Sequence, residues 1–312
     1  MIKSELIMEQ VKKSFVGRDS VVRKVLLALL AGGHVLLEDI PGVGKTTLAL
    51  AFSRALDLSC RRIQFTPDVM PSDVTGFTML RQDTRDMEYQ PGAVMCNLLL
   101  ADEINRASSR SQSALLEAME ESAVTVDGVT YELPEPFMVI ATQNPTGSSG
   151  TQLLPDSQTD RFMMRISIGY PETNAEVEML LRKHGQQPDN PIHKVADAAE
   201  LLEMRRAVAG VYIAEELYEY IVALTRATRW HPMIQQGASP RCSAALMALG
   251  QAAAFIGGRD YMIPEDVQSI LIDCTAHRLI LTAQAKREPN AAANILTDLL
   301  KHTPIPRLRA AK

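Results

Sequence analysis

Five short apolar runs punctuate the first half of the chain, at His34–Leu37, Arg62–Phe65, Asn97–Ala101, Phe137–Thr142 and Met164–Ile168, and stretches with helical spacing separate them. Strand-length runs alternating with helices predict an α/β fold whose parallel sheet is covered by helices on both faces. The loops at the carboxyl ends of such strands form the ligand crevice. Ahead of the first run, residues 3–31 carry a helical pattern broken near Phe15-Val16-Gly17. Beyond Tyr170-Pro171 the spacing becomes helical throughout, clearest in Leu201–Val208, Glu215–Thr228 and Ala244–Phe255. The pattern therefore predicts two domains, an α/β domain over 1–171 and a smaller all-α domain over 172–312.

Two stretches interrupt the alternation. Residues 66–92, with Pro67, Pro71, Gly76 and Pro91, are too long for a plain connection and read as an inserted element. In TVDGVTYEL at 125–133, Asp127-Gly128 sits between alternating β-prone residues, which predicts a hairpin over about 122–134.

Composition narrows the class without naming a chemistry. Hydrophobic residues make up 46% of the 312 and charged residues 22%, as in an ordinary soluble globular protein. A formal net charge of −5 argues against a surface built mainly for nucleic-acid phosphates. No run is long and apolar enough to span a bilayer, and the charged N-terminus lacks the apolar centre of a signal peptide. The four cysteines, Cys60, Cys96, Cys242 and Cys274, show no metal-ligand or redox spacing, so free thiols in a cytoplasmic, reducing setting are expected.

The chemistry begins at Asp39–Thr47, DIPGVGKTT. Gly42 and Gly44 allow a tight loop whose N–H groups converge on phosphate oxygens, with Pro41 and Val43 completing the turn. Lys45 would reach the β- and γ-phosphates of a nucleoside triphosphate, Thr46 would place its hydroxyl on Mg2+, and Thr47 continues the helix whose N-terminus faces the phosphates, an arrangement open to a kinase, a GTPase or a motor. The first glycine of the usual G-x-x-x-x-G-K-[ST] pattern falls at position 39, where this chain has aspartate. The apolar strand before the loop and the apolar helix after it supply the context that the motif needs.

Further along, Leu98-Leu99-Leu100-Ala101 delivers Asp102-Glu103 at a strand end. There Asp102 would complete the Mg2+ shell and Glu103 would polarise the attacking water. The strand Phe137–Thr142 ends in Gln143-Asn144-Pro145, and the Asn144 amide could contact both γ-phosphate and water, although Asn-Pro also simply forms turns. Arg161, in Asp160-Arg161-Phe162, and Arg241, in GASPR at 237–241, could stabilise charge on a transferring phosphoryl group. Taken singly, each arginine reads more readily as a surface or salt-bridging residue, and only its position gives it value.

Longer strings carry a family likeness. FTPDVMPSDVTG (65–76), PGAVMCNLLLADEINRASSRSQSALLEAMEE (91–121), ATQNPTGSSGTQLLPDSQTDRFM (141–163), GASPR (237–241), YMIPEDV (261–267) and HRL (277–279) resemble the MoxR family of AAA+ ATPases. Sequences of that family commonly carry ED-x-PGVGKT, which accommodates Asp39 and Ile40. The resemblance implies a P-loop AAA+ core followed by a helical lid. Lys45 and Thr46 then belong to Walker A, Asp102 and Glu103 to Walker B, and Asn144 to sensor 1. Arg161 becomes the arginine finger, with Arg165 close by as its competitor, and Arg241 becomes sensor 2. Val16 and Gly17 would contact adenine through backbone, residues 66–92 would hold the helix-2 insert, and the 122–134 hairpin would precede sensor 1.

Function follows as expectation. The resemblance implies a ring, usually a hexamer, that hydrolyses ATP to remodel or activate a protein partner. In this family that often means insertion of a metal or cofactor, frequently with a von Willebrand factor A domain protein. The alternatives are an AAA+ nucleic-acid motor or loader and a nucleotide-gated scaffold without turnover. Neither the loop at 146–151 nor the tail after Thr282 carries a usable motif.

Overall fold

A computed structural model describes residues 3–39, 42–81, 86–144, 154–184 and 191–307. Pro41 and the 146–151 loop lie outside the described residues. All five expected strands form, as β1 (Val35–Glu38), β2 (Cys60–Gln64), β3 (Leu98–Asp102), β4 (Met138–Gln143) and β5 (Met164–Ile166). They make one sheet in the order β2-β3-β4-β1-β5, and every pairing is parallel. Strand limits move by at most two residues from the sequence expectation. One of the two-residue shifts has a local cause: β5 stops at Ile166 because the N–H groups of Ile168 and Gly169 turn to the Asp39 carboxylate instead of a ladder.

Alternate residues of the central strands face opposite sides, as the two-residue period of a strand requires. Val35, Leu37, Leu98, Leu100, Met138 and Ile140 enter one core, while Leu36, Leu99, Ala101, Val139 and Ala141 enter the other. Both faces are thus buried, which explains why these strands read as continuous apolar runs. The edge strand β2 is different: Arg61, Arg62 and Gln64 are exposed on it, next to β3.

The N-terminal helical stretch forms helices Lys3–Ser14 and Asp19–Leu30, and Phe15-Val16-Gly17 falls in the break between them. Asp127 and Gly128 take positive φ values of 49° and 81° in the turn joining Ala123–Val126 to Val129–Glu132. The 66–92 insert contains the short helix Pro71–Thr75 and an antiparallel pair, Gly76–Leu80 with Met87–Pro91. The two hairpins lie together, with Tyr89 stacked on Tyr131 at 3.9 Å between ring centroids.

Among the described residues after 172 the regular elements are helices, apart from one small ribbon, Ile234–Gln236 with Ile280–Leu281, and a single bridge between Tyr212 and Tyr261. These helices do not form an isolated core. Leu246, Leu249, Ile270 and Leu271 share one hydrophobic cluster with Val25, Leu26, Leu29 and the β1 residues Val35 and Leu37. Lys24 meets Asp273 at 2.7 Å, and Arg205 Nε donates to the Leu29 carbonyl at 2.8 Å. Among the described residues all four cysteines are free thiols, and no helix is long and apolar enough to cross a membrane.

Candidate nucleotide site

The loop after β1 brings the predicted residues together. Gly42 and Gly44 have φ of +87° and +90°, values that a side chain would strain. Gly44 leads directly into helix Lys45–Ala55, which puts the helix N-terminus at the loop. A cavity of about 420 Å3 opens there, lined by Gly42, Gly44, Lys45, Thr46 and Thr47 from the loop and by Asp102, Glu103 and Asn144 from the tips of β3 and β4. Val16 and Gly17 line a second cavity of about 210 Å3, which shares Gly42 with the first and adds Val43, Tyr170, Pro171 and Met179. The two cavities meet at Gly42, and the second adds Arg18 and Glu176 to its apolar lining.

Asp39 has a structural task. Its Oδ2 accepts the N–H groups of Ile168 at 2.6 Å and Gly169 at 2.7 Å, and the Ser167 hydroxyl at 3.2 Å. Its carbonyl accepts Lys45 Nζ at 2.7 Å. The residue replacing the first motif glycine therefore ties the phosphate loop to the end of β5. Phe15 secures the other side, because its ring lies 3.3 Å from a Cβ built on Gly44 and 2.4 Å from one built on Gly17.

The acidic pair is organised by residues that the sequence reading passed over. Thr142 Oγ1 donates to Asp102 Oδ1 at 2.6 Å and accepts the Glu103 N–H at 2.9 Å. Arg62 Nη2 meets Asp102 Oδ2 at 2.7 Å. Glu103 Oε2 accepts from Gln64 Nε2 at 2.9 Å and Arg106 Nη1 at 2.8 Å. Glu103 itself is left-handed, φ 56° and ψ 48°, a conformation costing a non-glycine residue about 1–2 kcal/mol. Asn105 Nδ2 reaches the Asn144 carbonyl at 3.4 Å, linking the segment after Glu103 to the tip of β4. Burial pushes Lys45 below the usual lysine range, opposed by Asp102, Asp39 and Glu103.

These groups fit a magnesium nucleotide. Mg2+ takes oxygen donors and usually keeps phosphate and water ligands beside one or two protein groups. Thr46 and Asp102 would hold it, and the described residues contain no larger acidic or histidine cluster of metal-binding type.

Arg161 and Arg241 are brought together elsewhere. Neither lines the cavity; both meet Glu120, Arg161 Nη2 at 3.0 Å from Oε2 and Arg241 through Oε1. Arg165 turns instead to Glu38, at 3.3 Å. The HRL string supplies a further residue: the Arg278 side chain is 2% exposed, with Nε 2.7 Å from Asp160 Oδ1 and Nη2 2.8 Å from the Phe162 carbonyl. It pins the helical region to the corner that carries Arg161. Only the HRL match itself marked this position in the sequence.

A profile of the ATPase family associated with various cellular activities (AAA) matches residues 34–164, and one of the AAA lid domain matches residues 226–299. Over 303 residues the chain is 44% identical to uncharacterized protein YeaC of Bacillus subtilis (strain 168), spanning 97% of this chain and 95% of YeaC. It is 37% identical over 310 residues to chaperone MoxR1 of Mycobacterium tuberculosis, spanning 96% of this chain and 82% of that protein. The crystal structure of a Cytophaga hutchinsonii protein superposes with a TM-score of 0.91 at 37% identity, covering 98% of this chain and 95% of that one.

Proposed function

The chain belongs to the MoxR family of AAA+ ATPases, and from that premise we propose that it hydrolyses ATP in a ring of its own copies to remodel or activate a protein partner. The observation that carries this reading is the separation of charges. Lys45, Thr46, Asp102, Glu103 and Asn144 share one cavity, whereas Arg161 and Arg241 lie together outside it on Glu120. The guanidinium that does line the cavity, Arg62, is held by Asp102 at 2.7 Å, so a phosphoryl transfer that needs a late guanidinium draws it from a neighbouring copy, which makes assembly, as a hexamer, part of the chemistry.

Loop amides and Lys45 bind the β- and γ-phosphates of ATP, and Val16 and Gly17 border the base. Thr46 and Asp102 would hold Mg2+, which would supply neutralisation of the phosphate charge. Glu103 accepts the proton of the attacking water, and Asn144 orients that water against the γ-phosphate. The boundary near Pro171 divides the nucleotide-binding domain from the lid, whose motion transmits the work. The chaperone name of the mycobacterial relative supports a protein client. The family resemblance suggests metal or cofactor insertion in the cytoplasm with a von Willebrand factor A domain partner.

Phosphate release by wild type and Glu103→Gln tests the proposal. Glu103→Gln should bind ATP as wild type does while turning over at least about 100-fold more slowly. A wild-type ring that binds ATP but releases no phosphate overturns the hydrolysis reading in favour of a scaffold. Partners trapped by Glu103→Gln in its ATP state should be protein, and recovery of nucleic acid alone overturns the client assignment.

A further inference from the structure

We propose that Glu120 is a positioning residue that joins Arg161 and Arg241 into one unit, so that core and lid present both guanidiniums together. The inference rests on the reading that these arginines serve hydrolysis at a neighbouring nucleotide.

Helix electrostatics do not explain this cluster. Glu120 lies in the last turn of helix Ser109–Glu121, where the exposed carbonyls disfavour a carboxylate. Arg241 is the second residue of helix Pro240–Ile256, where the N-terminal end disfavours a cation. Each works against its own helix, yet they meet across 121 positions of sequence. The carboxylate is divided between its partners, Oε1 to Arg241 and Oε2 to Arg161. Two guanidiniums on one carboxylate leave a net positive charge. Arg241, with half its side chain exposed, keeps donors for an anion.

The surrounding corner is already held between the two parts of the molecule. Asp160, beside Arg161, takes Arg278 Nε at 2.7 Å on Oδ1 and the Ser239 hydroxyl at 3.3 Å on Oδ2. Ser239 lies just before Pro240-Arg241, so the backbone near each arginine is fixed to the other part. What remains loose is the pair of long side chains, and Glu120 is the group that fixes their heads relative to each other. A shift of about 1 Å in such a charge is enough to cost on the order of 100-fold in rate.

The test uses the full-length chain with Glu120→Gln, which keeps shape but removes charge, and Glu120→Asp, which keeps charge on a shorter stem. Glu120→Gln should lower kcat about 10- to 100-fold with KM for ATP within about 2-fold, because Glu120 does not line the cavity. Glu120→Asp should recover part of that loss. Arg161→Ala and Arg241→Ala should be non-additive in wild type and closer to additive in Glu120→Gln. Without nucleotide, amide exchange over residues 241–246 should quicken in Glu120→Gln, since one lid-to-core tie is gone. Wild-type kcat in Glu120→Gln overturns the positioning role, and unchanged exchange overturns the tie itself. A loss of kcat that matches a loss of folded protein, with no recovery in Glu120→Asp, makes Glu120 merely structural. If wild type turns over no ATP, the hydrolysis reading falls, and the exchange measurement still decides whether Glu120 links lid and core.

Discussion

Replacing Thr142 with valine keeps the branched shape and volume of a fully buried residue but removes the hydroxyl between Asp102 and Glu103. Two interactions go at once. The 2.6 Å bond to Asp102 Oδ1 is to a carboxylate, and such bonds contribute about 1.5–3 kcal/mol. The Glu103 N–H, bonded at 2.9 Å, loses its acceptor, and an orphaned donor costs about 1–3 kcal/mol. One hydroxyl serves both, so the expected loss lies near 3 kcal/mol rather than at the full sum. That exceeds the roughly 1–2 kcal/mol needed to hold Glu103 left-handed, so the glutamate should also lose its geometry. Urea unfolding of the full chain, followed by far-UV circular dichroism, should place Thr142→Val well below wild type and Thr142→Ser within about 1 kcal/mol of it. Phosphate release should fall in Thr142→Val and recover in Thr142→Ser. If Thr142→Val lies within about 0.5 kcal/mol of wild type and turns over normally, Gln64 and Arg106 hold Glu103 unaided and the reasoning fails.

Other expectations are as direct. Asp39→Ala should destabilise the chain by about 2–4 kcal/mol by stranding the Ile168 and Gly169 amides, and weaken ADP binding in titration calorimetry; Asp39→Asn should recover roughly half. Gly237→Ala would set a methyl 2.6 Å from the Arg229 amide nitrogen, where only backbone could yield, so its unfolding midpoint should drop by at least about 1 kcal/mol equivalent. His34 is buried, with 9% of its surface exposed, and its pKa is pushed down to about 4 mainly by desolvation, while its Nδ1 accepts the Val139 N–H. The folded state therefore resists a proton that the unfolded chain accepts near the ordinary value of 6.5. Its contribution is complete above that pH and declines as pH falls toward 4, by about 3 kcal/mol in all. Unfolding measured from pH 7 to pH 4 should show this slope in wild type and a shallower one in His34→Gln.

Much of the architecture was legible because its signals are local. Buried parallel strands must be apolar on both faces, so five runs gave five strands. Asp127-Gly128 can supply consecutive positive φ angles, so the hairpin turned where expected. The phosphate loop was equally plain, since two glycines before Lys45-Thr46 serve a backbone conformation that few other residues allow. The organising residues were not legible in this way. Thr142 reads as one more β-prone strand residue, and Arg62 and Gln64 as members of a short strand-length run whose place at the sheet edge only the fold shows. The family pattern accommodated Asp39 in place of the first glycine, but only the fold shows what its carboxylate does at the end of β5. The domain boundary near Pro171 marks a change of pattern, yet the hydrophobic core runs across it from helix Asp19–Leu30 into the C-terminal helices.

Contiguous residues set the strands, the loop that faces phosphate and the acids at a strand tip, because each depends on backbone conformation or periodicity over a few positions. Chain folding alone decided that Thr142 would bridge Asp102 and Glu103. It also sent Arg161 and Arg241 away from their own cavity to share Glu120. Those contacts join residues 39 to 121 positions apart, and a hydrogen bond between them depends on where the sheet order and lid packing bring the side chains.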